Sequence, residues 1–288
     1  MAIFKPEMPV ATKNDNPSIR NLYFESIESV NSEVMGQIIS ERRYRKPPII
    51  EALCEISFAD SAWDDTVPGI FYEQVKDSFP QKQQREIQQA EISLGITEAT
   101  AGVRRLPPRM LFVSNEKHRM IQVAKDLLVV NQLHPYPHFE EWEPEVYTAL
   151  SVYRKLASPK KIVHLGLRYV NRVVILKPQV KMEDYFTIYP NLPKVLGNLR
   201  GSFLVQVEIP QSNTTGHTMV MTFGTAPLPD TNAVGQAFML DFYCIRKFDE
   251  SLDEEAIKRE VKLAHNSIIT AFEESITDKL RKQFEPEK

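Results

Sequence analysis

The sequence predicts an α+β fold, mainly antiparallel sheet in two related halves, each covered by a long helix. Three observations carry this expectation. Apolar residues alternate at period two in several runs joined by short turns, the mark of half-buried antiparallel strands. Two longer stretches with helical apolar spacing each follow a set of strands. No strand, Gly-rich loop and helix occur in succession, so a doubly wound parallel sheet is not expected.

Residues 1–40 read as an N-terminal extension. Pro6, Pro9, Pro17 and the polar run Thr12–Asn16 resist regular structure, although Asn21–Ile39 could form a short helix. This segment is set aside from the fold, with a partner-binding arm as the alternative. The first α+β half, 41–158, begins after Pro47-Pro48. Ile50, Ala52, Cys54, Ile56 and Phe58 alternate with Glu51, Leu53, Glu55 and Ser57, predicting a half-buried strand. Pro68 is placed to open a helix whose stripe is Ile70, Phe71, Val75 and Phe79. A short strand is expected at Glu91–Thr97. After a loop holding Pro107-Pro108, a hairpin joins Arg109–Ser114 to Arg119–Ala124, and a strand follows at Leu127–Leu133. The prolines of His134–His138 enforce a loop. A helix from Phe139 carries Trp142, Val146, Ala149, Tyr153 and Leu156 on one stripe.

The second half, 159–288, opens with the longest strand-like run, Lys161–Leu176. One face carries Val163, Leu165, Leu167, Tyr169, Asn171, Val173 and Ile175. The other carries His164, Gly166, Arg168, Val170, Arg172, Val174 and Leu176. Met182–Leu196 fits neither period. Strands follow at Ser202–Ile209, His217–Phe223 and Gln236–Phe248, with Phe203, Val205, Val207 and Ile209 alternating cleanly. The closing helix is expected after Ser251, with Glu254 completing a capping box. Its stripe runs from Ile257 through Val261, Ala264, Ile268 and Phe272 towards Phe284 over seven turns.

Composition bounds the function. The chain has 288 residues, 42% hydrophobic and 25% charged, with a formal net charge of -3. That is ordinary for a soluble domain and carries no basic field for nucleic acid. Two cysteines, Cys54 and Cys244, exclude a disulfide scaffold and a cysteine-rich zinc site. No apolar stretch reaches the roughly 18 residues of a membrane span, and the N-terminus has no signal pattern. The expected location is cytoplasmic, with no membrane partner.

Two stretches, Arg43–Phe58 and Leu165–Leu176, resemble a sporadically distributed family of uncharacterised bacterial proteins. The shared features are Tyr44, Pro47, Pro48, Ile50, Glu51 and Ala52, then Gly166, Arg168, Tyr169, Asn171 and Arg172. The resemblance covers roughly residues 43–284. It implies no established activity. The family's patchy distribution is that of mobile defence or toxin-related operons, which is association rather than mechanism.

No Gly-rich phosphate loop, dinucleotide fingerprint or nucleophile elbow occurs. His134 and His138 have metal-like spacing, but Pro135 and Pro137 deny them a helix; no metal and no cofactor are expected. Two arginines on one strand face need acids or an anionic ligand. The candidate ligand-binding residues are Arg168, Arg172, Tyr169 and Asn171, with Asp241 and Glu208 facing the arginines if their strands share the sheet. Asn171, on the apolar face, needs its hydrogen bonds met. Arg42, Arg43, Arg45 and Lys46 with Tyr44 form a weaker nucleic-acid candidate. These features predict a non-enzymatic binding or assembly protein with a protein partner or a homo-oligomeric state. The alternatives are a small anionic-ligand or nucleotide-binding protein or enzyme, and nucleic-acid binding through Arg42–Lys46.

Overall fold

The centre of the sheet is a pair of strands from distant parts of the chain. β1 (Ile49–Ala59) runs antiparallel to β6 (Lys161–Ile175), with Ala52 opposite Tyr169 and Cys54 opposite Leu167. The computed structural model describes residues 42–94, 99–193, 195, 201–211 and 216–287, and side chains within these except at 87–107 and 250. The expected extension, 1–40, lies outside the described residues. Arg43–Lys288 forms one compact unit, so the boundary expected at 158 falls inside a single sheet.

Between β1 and β6 come α1 (Val67–Val75), β2 (Gln81–Leu94), β3 (Ala99–Val113), β4 (Arg119–Ala124), β5 (Leu127–Leu133) and α2 (Phe139–Ala157). After β6 come β7 (Leu204–Gln211), β8 (His217–Ala226), β9 (Gln236–Glu250), α3 (Glu254–Ser275) and the short α4 (Asp278–Arg281). Among the described residues, nine strands form one antiparallel sheet in the order β2-β3-β4-β5-β1-β6-β9-β8-β7. Neighbours in sequence are mostly neighbours in space because hairpins need only short turns. Lys117 and Asp126 take positive φ in the two tight turns around β4.

One face of this sheet holds the core. Ala52, Cys54, Ile56 and Phe58 of β1, Leu165, Leu167 and Tyr169 of β6, and Phe238, Leu240 and Phe242 of β9 are buried there. Helical side chains meet them: Tyr153 of α2 stacks on Phe58, and Phe272 of α3 sits edge-on to Phe242. Each fully buried side chain of this size contributes roughly 1.5–3 kcal/mol.

Four local expectations are corrected, and one segment left open is assigned. β3 does not break at Pro107-Pro108; it continues through them, with the register slipping opposite Arg85–Ile87. A bulge tolerates prolines because the ladder donors are already lost there. In β6 the register shifts between Ile162 and His164, so Ile162 is buried and Val163 is 41% exposed. Beyond Leu176, the ambiguous segment forms a 3₁₀ turn at Met182–Asp184. The closing helix is capped by Asp253, whose carboxylate accepts from the Ala256 amide, rather than by Ser251. It also ends at Ser275, because Ile276 is extended and bridges to Phe186 while Thr277 caps α4.

Candidate functional site

The face of the sheet away from the core carries a polar network centred on β1, β6 and β9. Arg168 grips Asp241 with two bonds, Nε to Oδ1 at 2.8 Å and a terminal nitrogen to Oδ2 at 2.5 Å. Asp241 is buried, while the Arg168 side chain is 43% exposed. The bidentate fork is the strongest geometry for such a pair, and it holds the Arg168 guanidinium even more firmly in its charged form.

Gly166 explains the next contact. A β-carbon there would lie 2.4 Å from the ring of Tyr243. The missing side chain therefore lets Tyr243 lie across β6, where its hydroxyl acts on the Glu55 carboxylate of the facing strand. Glu55 also accepts from His164 Nε2 at 2.9 Å. Burial pushes the Glu55 carboxyl up, but His164, the charge of Arg109 and the Tyr243 hydroxyl outweigh it and hold it below its ordinary value. Burial and the neighbouring Glu55 push the Tyr243 hydroxyl well up. Ser57 Oγ lies 3.0 Å from the same His164 nitrogen. A Ser-His-acid relay needs the serine and the carboxylate on opposite ring nitrogens. Here both share Nε2, so the trio has the residues of a relay without its geometry.

Beside this network, Glu51 accepts from the Asn131 amide and Asn131 accepts from Gln122. Arg172 lies on the same face, half-buried. Among the described residues no carboxylate pairs with its side chain; its backbone amide donates to the Pro48 carbonyl.

The other candidates separate. Tyr169 and Asn171 point into the core. The Tyr169 hydroxyl accepts from Tyr136 at 3.2 Å and donates to His265 Nδ1 at 2.8 Å. Burial and the nearby charge of Lys262 bring the His265 imidazole down to about 3, so it stays neutral and can accept. Asn171 donates its amide to the Leu240 carbonyl, satisfying a backbone group. Glu208 does not face the arginines. It shares a cross-strand row with Arg168 through Val220 and Tyr243, but three strand spacings, about 14 Å, separate them.

The basic cluster is engaged by acids. Arg43 lies 3.5 Å from Glu140 and Arg45 lies 3.6 Å from Glu285. Lys46 also pairs with Glu285, and that hydrogen bond holds the carboxyl low. Arg42 is exposed at the start of this strip. The segment is a latch: Arg45 and Lys46 amides donate to Glu285 and Phe284, and Tyr44 donates to the buried Glu273 at 2.6 Å. His134 precedes a cis Pro135; among the described residues no three metal-ligating side chains gather. A depression of about 250 Å³ holds Arg154 and Lys161, but Arg154 donates to the Leu252 carbonyl and Lys161 pairs with Asp249.

The second surface is the β7 edge. Its alternation is as expected, yet Val205, Val207 and Ile209 are 37–46% exposed and Leu204 is 66% exposed. β7 ends the sheet, so no described strand pairs beyond it. The residues missed from sequence, Glu55, His164, Ser57 and Tyr243, had one usable signal: a glycine inside a strand. No helix is long and apolar enough to cross a membrane among the described residues. No family model and no curated protein matches the chain.

Proposed function

We propose that the protein is a non-enzymatic binding or assembly protein that acts through contact with a protein partner. The observation that carries this reading is the β7 edge, where four exposed apolar side chains stand beside a row of backbone groups that no described strand pairs. Exposed apolar edges are contact surfaces or liabilities in soluble proteins. The open face supports the same reading, since Arg168 is committed to Asp241 and the Ser57–His164–Glu55 trio lacks relay geometry.

Within this proposal the chain is two related α+β halves, each covered by a long helix. The strand orders support this: β1-β5-β4-β3-β2 leads outward on one side and β6-β9-β8-β7 on the other. Within the proposal the protein is cytoplasmic, and its resemblance to a patchily distributed bacterial family supports, by association, work beside the products of a defence or toxin-related operon. The test is native mass spectrometry of protein purified gently from its own host, alongside Val207→Lys. A protein-bound mass, lost in the variant while its melting temperature holds, is the expected result. A bare monomer in the wild type overturns the reading.

A second reading rests on Arg172, a half-buried guanidinium with no described carboxylate. It is a small-anion site on the sheet face. Titration calorimetry with inorganic phosphate against Arg172→Ala tests it; heats that survive the substitution overturn it.

A further inference from the structure

We infer that the partner at the β7 edge is a second copy of the chain, paired antiparallel about a two-fold axis through Val207. This deepens the binding reading above and rests on it. The Thr225 amide donates to the Phe203 carbonyl at 3.0 Å. That fixes the parity of the ladder: odd residues of β7 bond to β8, so even residues face outward. The outward donors are the amides of Leu204, Gln206 and Glu208. The fourth even position is Pro210, which has no amide to strand.

The strand's own sequence selects the register. With the axis at Val207, Gln206 stands opposite the second copy's Glu208, an amide donor against a carboxylate. Leu204 stands opposite the second copy's Pro210, which supplies a carbonyl and lacks an amide. On the other face Val205 meets the second copy's Ile209, and Val207 meets itself. Apolar thus meets apolar and polar meets polar on both faces. Moving the axis to Gln206 sets Glu208 against Leu204, and moving it to Glu208 sets two carboxylates against each other. The opposite edge, β2, bears exposed Lys82, Arg85 and Glu86, charges that blunt an edge; β7 has Glu208 as its one charge. A closed two-fold uses this surface once per chain and leaves no sticky edge. An eight-residue strand buries less than the roughly 800 Å² per partner of stable complexes, so the dimer is weak and concentration-dependent.

The test uses the full chain. Sedimentation velocity over rising concentration should move the wild type from monomer towards dimer, and Val207→Lys should stay monomeric with an unchanged melting curve. Under oxidation Val207→Cys should crosslink, because the axis places its thiol opposite itself in a non-hydrogen-bonded pair. Gln206→Cys should not, since it faces Glu208. Cys54 and Cys244 are buried and give no background. Equal crosslinking of the two variants, or a wild type monomeric at every concentration, overturns the self-pairing. If that monomer still holds a different protein in the native spectrum, only the self-pairing fails and the binding reading stands.

Discussion

The two faces of β6 solve the same problem with different chemistry. Towards the helices, Leu165, Leu167, Tyr169 and Val173 are buried, and the polar partners of Tyr169 are a tyrosine and a histidine. Tyr136, Tyr169 and His265 pass donors to acceptors in one direction, and burial keeps the imidazole uncharged. On the open face the groups are ions: Arg168 on Asp241 and His164 beside Glu55. Where water is excluded, the desolvation of a charge can exceed what its pairing returns. Where water reaches one partner, as at Arg168, a charge can be kept. The faces therefore differ in what should perturb them: cavities and protons on one, salt on the other.

The largest expected effect is on the helix side. Phe242→Ala removes a fully buried ring that meets Phe272 and should cost about 3–5 kcal/mol in urea unfolding, equally at low and high salt. Tyr169→Phe should cost about 1–3 kcal/mol, because it leaves His265 Nδ1 buried without its donor. The same site also makes stability depend on pH. The folded His265 titrates near 3 against an ordinary 6.5. Below 6.5 the unfolded chain takes up a proton that the folded chain refuses. Its contribution is thus fully present above 6.5 and is lost as pH falls towards 3. Acid unfolding of His265→Gln should be flatter across that window; an unchanged slope would remove His265 from the account.

The helix side was also the more legible from sequence. The alternation of Ala52, Cys54, Ile56 and Phe58, and of Leu165 to Val173, identified the buried face because water exclusion writes a local pattern. The open face needs strand order, which no local pattern carries. That Asp241 reaches Arg168 follows from β9 lying beside β6, and that Glu55 reaches His164 follows from β1 lying on its other side. Glu208 illustrates the converse: it had the right face and the wrong strand. β7 misled for the same reason, since alternation reports which side chains share a face and not whether anything covers it. Gly166 alone hinted at the network, by leaving room for Tyr243.

The smallest effect, and the sharpest test of the contrast, is Arg168→Ala. It leaves the buried Asp241 without its fork, but Arg168 is 43% exposed, so water partly replaces it and the cost should be about 1–2 kcal/mol. Rising salt screens a partly exposed pair, so the gap between wild type and variant should narrow with added sodium chloride while the Phe242→Ala gap holds. Acid gives a second axis. Glu55 is held below its ordinary 4.5, so its contribution is present above 4.5 and is lost only as pH falls through the lower folded value. The open face should therefore begin to fail at lower pH than the His265 site. If the two gaps respond alike to salt, and Glu55→Gln and His265→Gln flatten the same pH range, the faces are not chemically distinct and the contrast is wrong.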